Sequence, residues 1–438
     1  MTLSLHNFSI LLKAKSSMGK DILWTFSSQM LIILCAFIIT KLVSNIYSVE
    51  EFGQYNVIKK SASVFTFVML GGMGITLPRY LPIFSGKRAF RQVSDLQIIA
   101  IVYVLILSLI VFAFSMLFAN RWCEVLAGTD DLSVYMILLL YAFSLTVSSL
   151  LFSYYRGIND FRKYSVSQIL IQLAFIASVI FVGKHSLVFL FLIWSVVGLL
   201  VSFAYFLREM TKSRYILLRS FNLHRIRSLT KTIVGYSLPR LVGDFFLFSF
   251  SAFPVIYLSR VMSMTDVAYY SVGLTIMNMA TPLFSFLGVV LLPYVSGAMT
   301  KGTFNEANRF IRKMQYLYLI VSVSITVLFW LIMPFIIKFF FSAQYLPSQE
   351  LSRYMLLAVI PQAFYLLYRN PIDAISVVPY NTIILLLSFV VLVSLYLFSS
   401  SLSDYVFSFI IASSFQGFVS MLTWLYLKRK LVTNTSKK

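Results

Sequence analysis

The sequence predicts an all-α polytopic membrane protein with twelve transmembrane helices in two six-helix bundles. Three observations predict this fold class: an apolar composition, twelve apolar runs of membrane-spanning length, and an internal repeat. Hydrophobic residues make up 59% of the 438 residues, charged residues only 12%, and the mean hydropathy is +0.87. At about 20 residues per bilayer crossing, this content suffices for roughly twelve helices. It excludes a soluble enzyme, a secreted domain and a disordered regulator.

The apolar runs follow one another along the whole chain, and they lack the period-two alternation of a β-barrel. Spans 1 to 6 are predicted at about 22–44, 53–77, 97–119, 132–155, 165–183 and 187–207. Spans 7 to 12 are predicted at about 232–259, 267–295, 314–340, 351–368, 380–400 and 404–427. No small-residue cleavage site follows span 1, so we expect it to be retained as a helix. Pro239 and Pro254 are expected to let span 7 bend.

The distribution of Lys and Arg predicts the orientation of these spans. The termini and the even-numbered connections hold 27 of these residues, whereas the odd-numbered connections hold six. Basic residues concentrate on the cytoplasmic side of membrane proteins, so both termini are predicted to be cytoplasmic. The same asymmetry accounts for the net charge of +21 and excludes nucleic acid as the reason for it.

Short segments recur in the same order in the two halves of the chain. The matches at an offset of 215 residues are Ser48–Tyr55 with Ser263–Tyr270, and Leu77–Pro78 with Leu292–Pro293. Tyr155–Asp160 matches Tyr368–Asp373 at an offset of 213. Each half contains an even number of spans, so the two halves are parallel repeats.

We therefore predict an N-terminal bundle over residues 1–215 and a C-terminal bundle over residues 232–438, with a cytoplasmic linker at about 208–231. Two such bundles are typical of an alternating-access transporter. The alternative is a duplicated scaffold or assembly factor that transports nothing.

Two segments of the chain resemble segments of a known family. Lys41–Tyr55 at the exit of span 1 and Gly235–Gly243 at the start of span 7 are similar to the O-antigen flippases, which export polysaccharide repeat units. These belong to the multidrug/oligosaccharidyl-lipid/polysaccharide exporter superfamily. The resemblance implies a V-shaped, MATE-like fold in the bacterial cytoplasmic membrane. It also implies transfer of an undecaprenyl-diphosphate-linked oligosaccharide from the cytoplasmic to the outer leaflet, with a polymerase or a chain-length regulator as possible partners.

Charged residues within predicted spans are the first candidates for a site, because charges inside a bilayer are costly and usually functional. Arg240 and Asp244 lie four residues apart on one face of span 7. We expect Arg240 to meet anionic substrate groups and Asp244 to accept a coupling proton; the alternative is a pair that only neutralises itself. The repeat offset places Thr25 and Gln29 of span 1 in equivalent positions.

Span 2 supplies a second group of candidates. Lys59 and Lys60 either face a substrate cavity or extend to the outer interface, and Asn278 of span 8 lies near them in the repeat register. Arg79 follows Pro78 at the cytoplasmic end of span 2, where it either guides an anionic head group or is an ordinary cytoplasmic cation. The three intramembrane cations Lys59, Lys60 and Arg240 outnumber Asp244, which favours an anionic cargo.

Other functions are less consistent with the sequence. A drug or cation exporter of the same superfamily is expected to need acidic cavities, and the related lipid II flippases usually have fourteen helices. A membrane polymerase or ligase is expected to need a larger external loop than the dozen or so residues found here. No phosphate-binding loop motif for ATP is present, so a proton or sodium gradient is the expected energy source. Two cysteines and three scattered histidines predict no metal site, and we expect no cofactor.

Overall fold

The computed structural model describes residues 17–86, 90–182, 185–219, 223–285, 291, 295, 304–376 and 378–435, and these residues form helices without any β-strand. The helices of the first half are α1 (Ser17–Ile46), α2 (Val49–Leu70), α3 (Met73–Gly86), α4 (Phe90–Leu117), α5 (Ala119–Ala127), α6 (Leu132–Gly157), α7 (Phe161–Val182) and α8 (Leu187–Arg219). Those of the second half are α9 (Leu223–Val261), α10 (Met264–Asn278), α11 (Phe304–Leu331), α12 (Met333–Phe340), α13 (Gln349–Met355), α14 (Val359–Ile375), α15 (Tyr380–Phe398) and α16 (Leu402–Thr435). Short 3-10 helices at Ala343–Ser348 and Leu356–Ala358 flank α13.

The described part of the chain contains ten segments that are long and apolar enough to cross a membrane, or eleven when α2 and α3 are counted as one bent span. The protein is thus a polytopic, all-helical membrane protein. Span 8 was predicted at 267–295. The described residues that cover its first part are the 15 residues of α10, a turn at 279–280 and a short helical stretch at 281–285. Most of the remainder lies outside the described residues. The count of twelve therefore stays a prediction.

One predicted span is broken. Span 2 was predicted as a single run over 53–77, but α2 ends at Leu70 and α3 starts at Met73, with a bend of 41° between them. Gly71 and Gly72 form the break, with φ angles of 56° and 79°. These angles lie in the left-handed region, which costs residues with a side chain about 1–2 kcal/mol. By contrast, α9 continues as one helix through the positions of Pro239 and Pro254.

The helix starts confirm the local equivalence of the repeated segments. Before α2, the Glu51 N–H donates to Ser48 Oγ at 3.2 Å, and the Ser48 N–H donates to Glu51 Oε2 at 2.8 Å. Before α10, the Asp266 N–H donates to Ser263 Oγ at 3.2 Å. Each arrangement satisfies backbone donors that would otherwise lack a partner in the first turn.

A second pair of helix starts has the same spacing. The Phe189 N–H donates to Ser186 Oγ at 3.3 Å at the start of α8, and the Asp404 N–H donates to Ser401 Oγ at 3.2 Å at the start of α16. Ser186 and Ser401 are again 215 residues apart. The repeat thus extends to its last helix in capping geometry, although Phe189 and Asp404 differ in chemistry.

The chain divides into two compact units that mix segments of the two sequence halves. Unit 1 comprises Met1–Tyr47, Ala62–Cys123 and Thr129–Leu241, and unit 2 comprises Ser48–Ser61, Glu124–Gly128 and Val242–Lys438. Three helices, α2, α5 and α9, contribute residues to both units. The bundle boundaries at 215 and 232 are a prediction from the repeat and remain one.

Unit 1 has an apolar core where α3, α4, α6 and the start of α9 meet, which includes Leu77, Leu96, Leu151 and Ile233. Trp194 of α8 lies flat on Phe175 of α7, with ring centroids 4.8 Å apart, and its Nε1 donates to Ser178 Oγ at 2.7 Å. A buried indole N–H needs such a partner, so this contact fixes α8 against α7.

Unit 2 is rich in buried tyrosines. The Tyr270 and Tyr396 hydroxyls are 2.9 Å apart and hydrogen-bonded, and Tyr405 packs on Tyr396 with centroids at 5.0 Å. Tyr318 of α11 donates to the Phe284 carbonyl at 2.7 Å. These contacts connect α10 with α15, α15 with α16, and α11 with the segment that follows α10, without burying charge.

Candidate functional site

The two candidate residues of span 7 lie within α9. Arg240 and Asp244 are one helical turn apart, so helix geometry places their side chains on the same face. Their side chains, and that of Thr25 in α1, fall outside the described residues. The ion pair and its Thr25 counterpart therefore remain predictions.

Lys59 and Lys60 are half-buried on α2. Lys59 Nζ donates to the Tyr55 hydroxyl at 3.3 Å and lies 5.3 Å from the centroid of that ring, while Tyr55 itself is fully buried. An ammonium close to an aromatic ring gains about 0.5–2 kcal/mol, which offsets part of its desolvation. Tyr55 was not predicted as a site residue, although it is the last residue of the segment Lys41–Tyr55 and lies one helical turn before Lys59.

The depth of the two lysines follows from the helix start. Ten residues separate Lys59 from Val49, which corresponds to about 15 Å along the helix axis. The hydrocarbon core of a bilayer is about 30 Å thick. A helix that enters the bilayer near Val49 therefore carries Lys59 and Lys60 to about half its depth.

Gln29 of α1 takes part in helix packing. Its Nε2 donates to Gln168 Oε1 at 2.9 Å and to the Tyr164 hydroxyl at 3.3 Å, both on α7. The neighbouring Ser28 hydroxyl lies 2.7 Å from that of Ser165. Such interhelical hydrogen bonds are a common use of polar residues in membranes. Tyr164 was not singled out from the sequence.

Arg79 of α3 is exposed and lies among aromatic rings of unit 1. Its Nη1 donates to the Tyr236 hydroxyl at 2.6 Å, and its guanidinium lies 4.3 Å from the Tyr236 ring and 5.9 Å from the Tyr80 ring. The two tyrosines also contact each other edge to face at 5.4 Å. Sequence reasoning did not anticipate this contact, because Tyr236 is 157 residues away from Arg79.

Arg156 shows a similar arrangement that sequence reasoning missed. Its Nη2 donates to the Gly74 carbonyl of α3 at 2.8 Å, and its guanidinium lies 5.9 Å from the Tyr164 ring. Arg156 had been counted only as a cytoplasmic cation. The last candidate, Asn278, is half-buried at the end of α10.

A charged cluster in unit 1 includes none of these candidates. Lys163 Nζ is 2.9 Å from Asp160 Oδ2 and 2.9 Å from Glu209 Oε1, and it lies 5.5 Å from the Tyr155 ring. Glu209 also lines a small, mostly apolar cavity with Gln97 and Tyr154, which includes none of the predicted site residues. The described residues contain no group of three metal-binding side chains.

Comparisons with known proteins agree with this architecture. A family model described as polysaccharide biosynthesis protein matches residues 18–299. An inward-facing multidrug resistance MATE family transporter of the MOP superfamily superposes with a TM-score of 0.75 at 13% identity, over 94% of this chain and 99% of that one. The lipid II flippase MurJ, in an inward closed conformation, gives 0.68 at 14% identity, over 93% and 87%. A comparison with curated protein sequences gives no match.

Proposed function

Because the chain belongs to the polysaccharide biosynthesis protein family, we propose that it is a flippase for an undecaprenyl-diphosphate-linked oligosaccharide. It moves one O-antigen or related polysaccharide repeat unit from the cytoplasmic to the outer leaflet of the bacterial cytoplasmic membrane, with both termini in the cytoplasm. The polymerase and the chain-length regulator that act on this product are its expected partners.

The observation that supports an anionic cargo best is the pair of lysines on α2. Lys59 and Lys60 are adjacent, half-buried cations ten and eleven residues after the helix start. A helix that enters the bilayer near Val49 carries them to about half its depth. A Lys at a helix centre costs about 2.5–3.5 kcal/mol on insertion scales. The Tyr55 ring offsets only part of this cost for Lys59. A diphosphate that binds there would offset more.

The remaining candidates complete the proposed path. Arg240 binds the diphosphate or an acidic sugar, and Asp244 exchanges a proton or sodium ion that couples transport to the gradient. Arg79 receives the head group at the cytoplasmic end, while its tyrosine neighbours hold its guanidinium in place. Other polar side chains contact the sugars: Thr25, Gln29 and Asn278.

Deletion of the gene tests this function. We expect surface polysaccharide to disappear and single lipid-linked repeat units to accumulate on the cytoplasmic leaflet. A plasmid copy of the native gene should restore the polysaccharide, and an Asp244→Asn copy should restore less of it. Polymerised chains at the surface of the deletion strain would contradict the proposal.

A drug or cation exporter is the second candidate, because the MATE transporter gives the TM-score of 0.75. At 13% identity, this similarity establishes the fold alone. A deletion strain that keeps its polysaccharide but becomes sensitive to cationic drugs would favour the exporter. The described intramembrane lysines are unfavourable for a cationic cargo, because they repel it.

A further inference from the structure

The small cavity of unit 1 is separate from the candidates for the transport path. Helices α3, α4, α6 and α8 line it, its volume is about 40 Å³, and it is open on one side. Its wall is mostly apolar, and the polar residues that line it are Gln97, Tyr154 and Glu209. A space of this size holds roughly two or three water-sized groups, but an apolar wall offers water too few polar partners. A short segment of a hydrocarbon chain fits it better.

The surface beside the cavity is exposed and apolar. On α4, Val102 and Leu105 lie one turn after the lining residues Ile98 and Ile101, and they are 47% and 44% exposed. On α8, Phe203 is 60% exposed. Lipid tails are as apolar as such side chains, so this surface faces the bilayer. The cavity is therefore a recess in a lipid-facing surface, and an acyl chain that fills it gains dispersion contacts.

Glu209 gives the recess a negative charge. Its side chain is 11% exposed, and its Oε1 lies 2.9 Å from Lys163 Nζ, which is also 2.9 Å from Asp160 Oδ2. Asp160 has a further donor, because its Oδ1 accepts the Lys163 N–H at 3.0 Å at the start of α7. No described residue donates to Glu209 Oε2. Two carboxylates thus share one ammonium, and a mostly buried carboxylate is costly unless it is fully paired.

The cavity lies near one end of its helices. Leu187–Glu209 is one apolar segment of 23 residues, or about 35 Å of helix, slightly longer than the hydrocarbon core of about 30 Å. Gln97 lies five residues after the start of the apolar segment Gln92–Leu117. Both polar residues therefore lie near the depth of the lipid head groups. The distribution of Lys and Arg predicts that this is the cytoplasmic leaflet.

We propose that this cavity binds a phospholipid of the cytoplasmic leaflet whose head group carries a primary amine, such as phosphatidylethanolamine. One acyl chain enters the recess, and the ammonium donates to Glu209 Oε2. A primary ammonium has three N–H donors and one positive charge, which balances the unshared carboxylate. An anionic head group is repelled by the same carboxylates. The site is independent of the proposed function, because none of the candidates for transport lines it.

Lipid binding to the full chain in detergent tests the site. Native mass spectrometry measures the affinity for phosphatidylethanolamine, phosphatidylcholine and phosphatidylglycerol with the same acyl chains. We expect phosphatidylethanolamine to bind most tightly, because phosphatidylcholine has no N–H donor on its quaternary nitrogen and phosphatidylglycerol has no cation. Equal binding of the three lipids would mean non-specific lipid at the surface only, and would overturn the proposal.

Glu209→Gln tests the head-group contact. It removes the charge but keeps an oxygen that accepts from Lys163. It should weaken the binding of phosphatidylethanolamine on the order of tenfold, the loss expected for one hydrogen bond to a charged group, and should not weaken that of phosphatidylglycerol. Glu350→Gln is the matched control, because Glu350 is also ion-paired, with Arg353 at 2.7 Å, and does not line the cavity. Equal binding by the two variants would show that Glu209 does not bind the head group.

Ile101→Trp tests the recess and keeps the proposal falsifiable if Glu209→Gln does not accumulate. The larger side chain fills the recess and should weaken the binding of phosphatidylethanolamine on the order of tenfold, the effect of expelling about two methylene groups. Leu105→Trp is the matched control, since Leu105 lies one turn later on the exposed surface of α4 and does not line the cavity. If both variants bind the lipid like the native protein, no acyl chain occupies the recess and the proposal is wrong.

Discussion

The presence of Arg240 within a predicted membrane span is the feature that most needs an explanation. An Arg near a helix centre costs about 2.5–3.5 kcal/mol on insertion scales, so Asp244 or the substrate has to compensate. If the substrate compensates, Arg240→Ala should abolish flipping although the protein reaches its normal level in the membrane. Loss of surface polysaccharide measures this effect. Arg240→Lys should restore only part of the activity, because lysine lacks the planar fork that binds two phosphate oxygens at once.

A double substitution separates the two explanations. If Arg240 only neutralises Asp244, the variant Arg240→Leu with Asp244→Asn should flip normally, since no unpaired charge is left. An active Arg240→Ala protein would remove Arg240 from the site altogether.

Replacement of Ser342 by glycine is expected to stabilise the protein. It joins α12 to the following 3-10 helix with φ at 123° and ψ at 169°, a region that only glycine occupies readily and that costs other residues about 1–3 kcal/mol. Its hydroxyl is also buried without a hydrogen-bond partner in the described structure. Ser342→Gly should therefore raise the free energy of unfolding by about 1 kcal/mol, seen as a higher melting temperature in detergent.

Ser376 provides the control for this substitution. Its φ is −123° and its hydroxyl donates to the Val378 carbonyl at 3.2 Å. Ser376→Gly should lower the melting temperature, since it removes this bond and adds backbone freedom to the unfolded chain. A similar decrease in Ser342→Gly would show that Ser342 is not strained.

For individual residues, the sequence indicated which side chains are polar but not which residues they contact. Gln29 was expected on a cavity face because it matches Asp244 in the repeat, and its hydrogen bonds to Gln168 and Tyr164 were not predicted. Arg79 was recognised as a cation without its aromatic neighbour Tyr236. Such contacts depend on which helices become neighbours, and hydropathy does not determine that.

Among the elements, helix positions follow from the apolar runs, because a backbone in lipid has to satisfy its own hydrogen bonds. The bend in the second span did not follow. Bending was expected from the prolines of span 7, which lie within the unbroken helix α9, whereas the break between helices occurs at Gly71 and Gly72. Glycine changes the mean hydropathy little, so its effect on backbone conformation is invisible to that measure.

The break gives a prediction for Gly72. Its φ is 79°, and a Cβ there would lie 2.6 Å from the Ser237 carbonyl oxygen. Gly72→Ala should therefore lower the free energy of unfolding by about 2 kcal/mol, of which left-handed φ alone accounts for 1–2. Thermal unfolding in detergent measures the change.

Gly74 is the comparison for this substitution. It lies within α3, where a Cβ would meet a flexible Leu70 methyl group at 3.2 Å, so Gly74→Ala should change stability much less. Equal effects of the two substitutions would mean that neither the φ angle nor the contact with Ser237 matters.

For the whole molecule, the sequence predicts the fold class more directly than it predicts how the chain divides into two compact units. Composition and the 215-residue repeat suffice for an all-helical membrane protein of two related halves. They did not reveal that Ser48–Ser61 and Glu124–Gly128 pack with the second half. That assignment depends on close contacts such as Gly53 with Met264, which arise from shape rather than from hydropathy.

The orientation of the whole chain is the broadest prediction. The 27-to-6 distribution of Lys and Arg predicts that both termini lie in the cytoplasm, and an even count of twelve spans predicts the same side for both. Reporter fusions should therefore show residues near 128, 184 and 346 outside and residues near 88, 220 and 303 inside. The pair at 220 and 303 tests the unconfirmed span 8: with seven spans before α11 instead of eight, residue 303 would be outside. A reversed signal at two neighbouring sites would contradict the helix count, whereas a reversal at every site would contradict the orientation and leave the count intact.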